Sequence, residues 1–386
     1  MTLSLSRRAE FVLQSEIRNM SIECDRVGGI NLSQGICDTE VPLAVRRGAQ
    51  AAIDEGVNSY TRYDGLADLR EAIARKLRDH QDLSYDPETE IVVSAGSTGA
   101  FYCACLALLE PGDQVILFEP YYGYHLQTLL LAQAVPAYVR LEPPDWGFSR
   151  EDLEKTWAPK TRAIVVNTPS NPTGKVFREE ELGWIRDFAT RHDLFVFTDE
   201  IYEYLLFDGR RHIPPARLPG MRERTMTISG LSKTFSITGW RVGYSACDRR
   251  WASRIGHLND LIYVCAPAPL QAGAAAGLQA LSPDYYRSLC RLYEEKRDKI
   301  CRALAGAGLN PYPPQGAYYV IADISRLPGR SSKERAMALL RETGVACVPG
   351  EAFFRPGGGH DLARFCFAKT DADLDEAGRR LERLRI

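Results

Sequence analysis

Lysine is scarce in this chain: nine of the 386 residues, against thirty-nine arginines. Chemistry that needs an amine able to shed its proton near neutral pH therefore has few possible seats, because a guanidinium stays charged throughout that range. Long apolar runs are also missing. The longest, Phe101 to Leu109, is far shorter than the ~18 residues a membrane-spanning helix needs, so a membrane protein is not expected. Near the N-terminus, Arg7 and Arg8 precede only Ala9 and Phe11 to Leu13, split by Glu10. That is too short for the core of a secretory leader, and the chain reads as cytoplasmic. The ten cysteines contain no C-x-x-C pair, and the six histidines (80, 125, 192, 212, 257 and 360) show no metal-ligand spacing. Neither a zinc site nor a disulfide framework is supported, and both residue types read as structural. Nor is charge of one sign in excess: 48 basic against 50 acidic residues leaves −2, which argues against a nucleic-acid-binding face.

What is present is a globular composition, 45% hydrophobic and 10% aromatic, in a chain long enough for two or three domains at ~150 residues each. From about residue 45 to 285, helical patterns such as Asp68–Asp79 and Glu179–His192 alternate with short apolar runs. The runs are Glu90–Ser94, Gln114–Phe118, Ala163–Asn167, Leu194–Thr198 and Thr225–Ser229. Runs without polar alternation are buried on both faces, so an α/β fold is expected, with a mostly parallel central sheet wrapped by helices. Beyond 285 come a long charged helix (Tyr285–Ala307), the run ending in Asp323, a helix near 332–343, Val345–Val348, Leu362–Ala368 and a last helix. This predicts a large domain over 45–285 and a smaller α+β domain built from 1–44 and 286–386.

Open α/β sheets bind ligands beyond the carboxyl ends of their strands, so the residues after each apolar run are the place to look for chemistry. Ser94-Ala-Gly-Ser-Thr-Gly-Ala100 follows a strand and opens a helix. It reads as a phosphate cradle at a helix N-terminus or as an ordinary Ser/Thr cap. Asn167-Thr-Pro-Ser-Asn-Pro-Thr-Gly-Lys175 ends like a P-loop, but that motif requires Gly at Pro169 and Ser or Thr at Val176. The alternatives are a proline-rich turn and a rigid loop presenting the Asn171 amide, with a cis bond expected before Pro172. Leu194-Phe-Val-Phe-Thr-Asp-Glu-Ile-Tyr202 runs an apolar strand into Asp199. A helix starting there would put Tyr202 on the same face. Finally, Thr227-Ile-Ser-Gly-Leu-Ser-Lys-Thr-Phe-Ser-Ile-Thr-Gly-Trp-Arg-Val-Gly243 seats Lys233 among small and apolar residues, with Arg241 downstream. Burial lowers the pKa of an amine, so Lys233 is either a Schiff-base nucleophile or a lysine snorkelling from the core edge.

Together these segments resemble the class I (fold type I) pyridoxal-phosphate-dependent aminotransferases, most specifically through Gly230-Leu-Ser-Lys233 and Gly239-Trp-Arg241-Val-Gly243. The likeness runs from Asn31-Leu-Ser-Gln-Gly35 to the final strand. It is greatest to the kynurenine/glutamine (methionine) transaminases, through Leu218-Pro-Gly-Met-Arg-Glu-Arg-Thr225, Pro314-Gln-Gly-Ala-Tyr-Tyr319 and Arg364-Phe-Cys-Phe-Ala368. The resemblance implies pyridoxal 5'-phosphate as cofactor and two-stage transfer of an amino group between an L-amino acid and a 2-oxo acid through the pyridoxamine form. It implies Lys233 as the lysine joined to the cofactor and as the proton carrier, Asp199 as the partner of the ring nitrogen, and Tyr202 and Asn171 as partners of the phenolic oxygen. It further implies Gly96, Ser97, Thr98, Ser232 and Arg241 on the phosphate, and Tyr122 stacked on the ring unless it is a core tyrosine. Gly35, Ile36, Asn171 and Arg364 would face the substrate, Arg364 pairing with its α-carboxylate. Tyr60 would reach the phosphate of a neighbouring subunit in a homodimer with shared sites.

The sequence departs from the family at three places. Gly35-Ile36-Cys37-Asp38 lacks the usual proline. Gly230 stands where a phosphate-binding serine is common, leaving Ser229 or Ser232 to substitute. Thr98 stands where some aspartate enzymes carry Lys. Ile36, Tyr63, Tyr122 and Tyr124 suggest a pocket for neutral, aromatic or sulfur-containing side chains. An aspartate aminotransferase, a C-S β-lyase, a cyclase or an elimination on the same fold are the alternatives, with a non-enzymatic regulator the remotest.

Overall fold

Uninterrupted apolar runs make the centre of this protein, whose computed structural model describes residues 3–6, 9 and 14–384. The apolar stretch Phe11 to Leu13, weighed above as a leader, lies outside them. Among the described residues no helix is long and apolar enough to cross a membrane.

After the helix Glu16–Arg26 the chain forms the short strand β1 (Ile30–Asn31) and the helices Leu43–Asp54 and Ala67–Gln81. There follow β2 (Ile91–Ala95), β3 (Gln114–Glu119), β4 (Val135–Arg140), β5 (Thr161–Asn167), β6 (Phe195–Asp199), β7 (Thr225–Gly230) and β8 (Val242–Ala246). These seven make one sheet in the order β2-β8-β7-β6-β5-β3-β4. All run parallel except β8, which is antiparallel to both neighbours. Alternate side chains serve opposite faces. Val115, Leu117, Val165 and Phe197 pack under the almost wholly apolar helix Gly96–Leu108 and the helix Arg249–Tyr263. Ile116, Ile164, Val166 and Val196 pack against Leu182, Ile185 and Phe188 of the helix Glu179–Arg191.

The rest of the chain gives β9 (Asn310–Tyr312), β10 (Tyr319–Asp323), β11 (Val345–Ala346), β12 (Val348–Pro349) and β13 (Leu362–Cys366), with the helices Pro283–Gly306, Ser332–Thr343 and Asp371–Leu381. β12-β13-β10-β9 is an antiparallel sheet, and β11 pairs in parallel with β1. The N-terminal residues thus join the C-terminal ones in one core, where Met20, Cys24 and Leu32 meet Leu340, Val345 and Phe365.

Two strands of the seven-stranded sheet, β4 and β8, were not read from the sequence. β4 is the sheet edge and carries Pro136, which an edge strand tolerates because no ladder hydrogen bond is needed on its open side. β8 is short and carries Gly243. A third difference concerns the helix expected at Asp199. Glu200 N donates to Ile228 O (2.9 Å), prolonging the pairing with β7, and the chain then turns through Glu203 N to Glu200 O (3.0 Å) and Leu205 N to Tyr202 O (2.8 Å).

That turn is pinned from below by buried charge. Glu203 (6% exposed) accepts hydrogen bonds from Lys76 (5% exposed), Gln81 and Ser229 (2.9 Å). Lys76 Nζ also donates to Tyr244 OH at 2.8 Å. Burial alone would push the Lys76 amine down, but Glu203 and its neighbours outweigh it and raise the pKa. Removing one partner leaves the other as an unpaired buried charge, so Glu203→Leu should cost about 3–5 kcal/mol of unfolding free energy, read from urea denaturation. Lys76→Met combined with Glu203→Leu should recover most of that loss. A single substitution that leaves the urea midpoint unchanged would show the pair to be dispensable.

Candidate active site

The carboxyl ends of β3, β5, β6 and β7 open onto one side of the sheet, and the loops that follow them meet segments of the second core there. Every site residue expected above except Gly96, Tyr60 and the pocket wall suggested at Tyr63 lines a single cleft of about 510 Å³.

At its floor, the parallel register sets Asn167 beside Asp199. Asn167 holds the next loop in place: its side-chain amide donates to Asp199 O (2.9 Å), and its Oδ1 accepts from Asn171 N (2.7 Å). The Asn171–Pro172 peptide is cis, as expected, and Thr168–Pro169 is cis as well. The Asp199 carboxylate lies 3.0 Å from His125 Nε2. Tyr202 is buried on the same side and donates its hydroxyl to Tyr319 OH at 3.2 Å; burial pushes its pKa well above the usual phenol range.

Lys233 follows β7 and reaches into this space. Among the described residues its amine donates only to Gly35 O (3.2 Å), with the ring of Tyr318 5.5 Å away, and makes no ion pair with a carboxylate. Burial pushes this amine below the usual lysine range, only partly offset by the neighbouring Cys37 and Cys366. Gly35 itself is required by packing, since a Cβ there would sit 1.9 Å from Tyr319 OH.

Arg364 is 0% exposed and likewise lacks a carboxylate. It donates to Asn171 Oδ1 and Ser33 O, both at 2.7 Å, while its Nε has no partner. The rings of Tyr319 (4.1 Å) and Phe353 (4.9 Å) flank it. A buried guanidinium so arranged is set up to receive a carboxylate in bidentate fashion.

At the opposite end the helix Gly96–Leu108 begins with no side-chain cap and no acidic residue in its first turn. Its free N–H groups and positive dipole end suit an anion. Here β8 presses close: a Cβ on Gly243 would lie 2.3 Å from Ser97 N, and one on Gly96 would lie 2.4 Å from Arg241 Nη2. Among the described residues the Arg241 guanidinium bonds only to Thr238 O (3.0 Å) and so remains available. A cradle of backbone amides with an uncommitted arginine, a carboxylate against an imidazole, and a lysine whose pKa is lowered by burial together fit pyridoxal phosphate.

Several expectations need correction. Ser229 is occupied by Glu203 and turned away, whereas Ser232 lines the cleft. Gly230 is not a lost serine contact alone, because a Cβ there would approach Gly243 Cα and Val242 O at 3.3 Å. Tyr63 does not reach the cleft; its ring packs on His257 at 5.3 Å. Tyr60, expected to serve a neighbouring subunit, needs no correction; it is 81% exposed and stands apart from the cleft of its own chain. His125, read as structural, touches Asp199; its signal was its position three residues after Tyr122, one helical turn on. Tyr319 and Arg18 also line the cleft and had been given no role.

Comparison with known proteins agrees with this geometry. The family described as aminotransferase class I and II matches residues 27–381. The probable N-succinyldiaminopimelate aminotransferase DapC of Mycobacterium tuberculosis is 37% identical over 373 residues, 94% of each chain. Kynurenine--oxoglutarate transaminase 3 of Rattus norvegicus is 35% identical, covering 90% of this chain and 83% of that one. The structure of YbdL from Escherichia coli, described as having a methionine aminotransferase function, superposes with a TM-score of 0.94 at 30% identity, covering 99% of this chain and 100% of that one.

The depressed Lys233 pKa carries a stability consequence. Between that pKa and the ordinary lysine value of ~10.4 the unfolded chain binds more protons than the folded one, so stability rises with pH in that window. In cofactor-free protein, Lys233→Met should therefore raise the urea midpoint at pH 7, and the advantage should shrink towards pH 10. A destabilised variant at neutral pH would contradict the unpaired, desolvated amine. Loss of the bond to Gly35 O is small in this comparison, because Tyr318 OH still donates to it at 3.1 Å.

Proposed function

The chain belongs to the class I and II aminotransferase family and is a pyridoxal-phosphate-dependent aminotransferase, and we propose that it moves the amino group between a neutral, aromatic or sulfur-containing L-amino acid and a 2-oxo acid. The observation that carries this is one cleft holding two desolvated basic side chains, Lys233 and Arg364, with no ion-pairing carboxylate on either among the described residues, and apolar or aromatic walls at Ile17, Ile36, Tyr122 and Tyr124. The substrates in the names of the rat and Escherichia coli relatives, kynurenine and methionine, support the same reading.

When bound, pyridoxal phosphate supplies the carbonyl that takes up the amino group and the electron-withdrawing ring that weakens the Cα–H bond. Asp199, oriented by its contact with His125, would hold the proton on the ring nitrogen. Tyr202 and Asn171 would donate to the phenolic oxygen. The first-turn N–H groups of Gly96, Ser97 and Thr98, with Ser232 and Arg241, would anchor the phosphate. Tyr122 would cover the ring face. Arg364, with Asn171 and Gly35, would fix the α-carboxylate, so the Cα–H of each substrate is presented to one place. The Lys233 amine, free once the substrate amine has taken its position, would move that proton at Nζ, a task that suits a pKa lowered towards the working pH.

The two halves of the exchange would share this cleft in turn. Arg364 comes from the 286–386 part and Gly35 and Ile36 from the 1–44 part, whereas Lys233, Asp199 and Arg241 come from 45–285, which supports a division into a large and a small domain. Tyr60 stands exposed with Leu261 (82%) and Val264 (38%) on the surface, as expected where a second copy covers them and Tyr60 enters the partner's site. We take the enzyme to be a cytoplasmic homodimer.

Two measurements test the proposal. Across Gln, Met, Phe, kynurenine and Asp, kcat/KM should favour the first four over Asp, and a strong preference for Asp would overturn the assignment. Lys233→Ala should lower kcat by at least about 1,000-fold, in line with the loss of a covalent and acid-base group. Borohydride should no longer fix the cofactor to the variant chain, seen in its intact mass. A variant with normal turnover would refute the role of Lys233.

A further inference from the structure

Tyr319 lines the cleft without an assigned role, and its surroundings point to one. It opens β10, where the antiparallel register sets it opposite Cys366 and so on the same face as Arg364, two residues back along β13. Its ring accordingly lies 4.1 Å from the Arg364 guanidinium. The hydroxyl is held as closely as the ring. It lies 1.9 Å from where a Cβ on Gly35 would be, and it meets Tyr202 OH at 3.2 Å. The side chain is only 3% exposed, and burial pushes its pKa up to about 12, so the phenol keeps its proton through the neutral range.

A hydroxyl carries one proton and two lone pairs. In the structure the Tyr202 proton is given to Tyr319 OH. A bond from Tyr202 to the phenolic oxygen of pyridoxal phosphate has to spend that same proton, so the two bonds cannot both run in this direction. The contact between the phenols survives only if it reverses, with Tyr319 donating and Tyr202 accepting. Tyr318, the other phenol packed on Tyr202, is not placed for this, because its hydroxyl is given to Gly35 O (3.1 Å).

We propose that Tyr319 is a positioning residue of this reaction: its hydroxyl donates to Tyr202, Tyr202 donates to the phenolic oxygen, and the ring stacked on Arg364 keeps this relay in register with the receptor for the α-carboxylate. The inference rests on the place given to Tyr202 above and deepens it. Hydrogen bonds in a chain polarise one another where water is excluded, so a Tyr202 that accepts from Tyr319 is the stronger donor. A stronger donor stabilises negative charge on the phenolic oxygen. The proton which that oxygen shares with the Lys233 nitrogen in the resting holoenzyme is then lost at lower pH.

The test is the pH titration of the bound cofactor's absorbance in wild-type, Tyr319→Phe, Tyr202→Phe and doubly substituted holoenzyme. Phenylalanine keeps the ring on Arg364 and deletes only the oxygen in question. Tyr319→Phe should raise the midpoint by about 0.3–1 pH unit, the order of one neutral hydrogen bond, and Tyr202→Phe should raise it further. With Tyr202 already replaced, Tyr319→Phe should add nothing, since the relay has lost its middle member. A merely structural role for Tyr319 would lower the urea midpoint and leave the absorbance midpoint where it was. An unchanged or lowered absorbance midpoint in Tyr319→Phe overturns the relay alone, as does an equal shift in the Tyr202→Phe background. An unchanged midpoint in Tyr202→Phe overturns the place of Tyr202 at the phenolic oxygen and the relay with it, so the two failures are told apart. Because the bound cofactor itself is read, neither result depends on which amino acid is turned over.

Discussion

An amine held out of water with only a carbonyl as partner is the constraint around which this structure is built. Lys233 is desolvated, contacts Gly35 O and lacks a counter-ion, so its proton is held weakly. The contrast with Lys76 is instructive. Both lysines are buried, but Lys76 has a carboxylate, a phenol and aromatic faces about it and keeps its charge, whereas Lys233 has none of the first. Two lysines of one chain are thus tuned in opposite directions by the presence or absence of one acid. The energy deficit at Lys233 is tolerable only because a large α/β core surrounds it, and the Glu203 network, one residue from Tyr202, stabilises the adjoining turn.

The same logic governs Arg364, whose charge is spread over two hydrogen bonds and two aromatic faces rather than ended by a carboxylate. An enzyme that must bind anions reversibly cannot let its own acids occupy the receptors. Close backbone approach does the rest. Gly243 lets β8 run against Ser97, and Gly96, at φ +73°, leaves room for Arg241. At these positions the glycines are spatial requirements, since a side chain at Gly96 would fill the volume in which the guanidinium lies and one at Gly243 would strike the backbone of Gly96 and Ser97.

Much of this was legible in the sequence because the strands are buried on both faces and read as unbroken apolar runs. The residues ending them, Asn167, Asp199 and Gly230, therefore fell at the sheet's carboxyl edge, and Lys233 stood out as a lysine among small and apolar neighbours. What could not be read depends on partners distant along the chain. β8 is specified by pairing with β2 and β7 rather than by its own weak pattern. The turn after Asp199 wins over a helix because Glu200 N finds Ile228 O and Glu203 finds Lys76, more than a hundred residues earlier. His125 looked like any core histidine until the fold put Asp199 beside it. Tyr63 carried the right chemistry for a pocket wall, but packing on His257 turns it elsewhere.

Substrate choice is the least legible property, and the geometry explains why. The groups that handle the amine, the ring nitrogen, the phosphate and the α-carboxylate act on parts that every substrate of this reaction shares, so they sit in compact motifs after strands. On the proposed reading the side chain of the substrate would be met by residues from separate places: Ile17 on the first described helix, Ile36 in the loop after β1 and Tyr124 at a helix start. No motif joins them, and each is free to change without disturbing the chemistry. Relatives whose names point to succinylated, aromatic and sulfur-containing substrates can therefore share one catalytic floor.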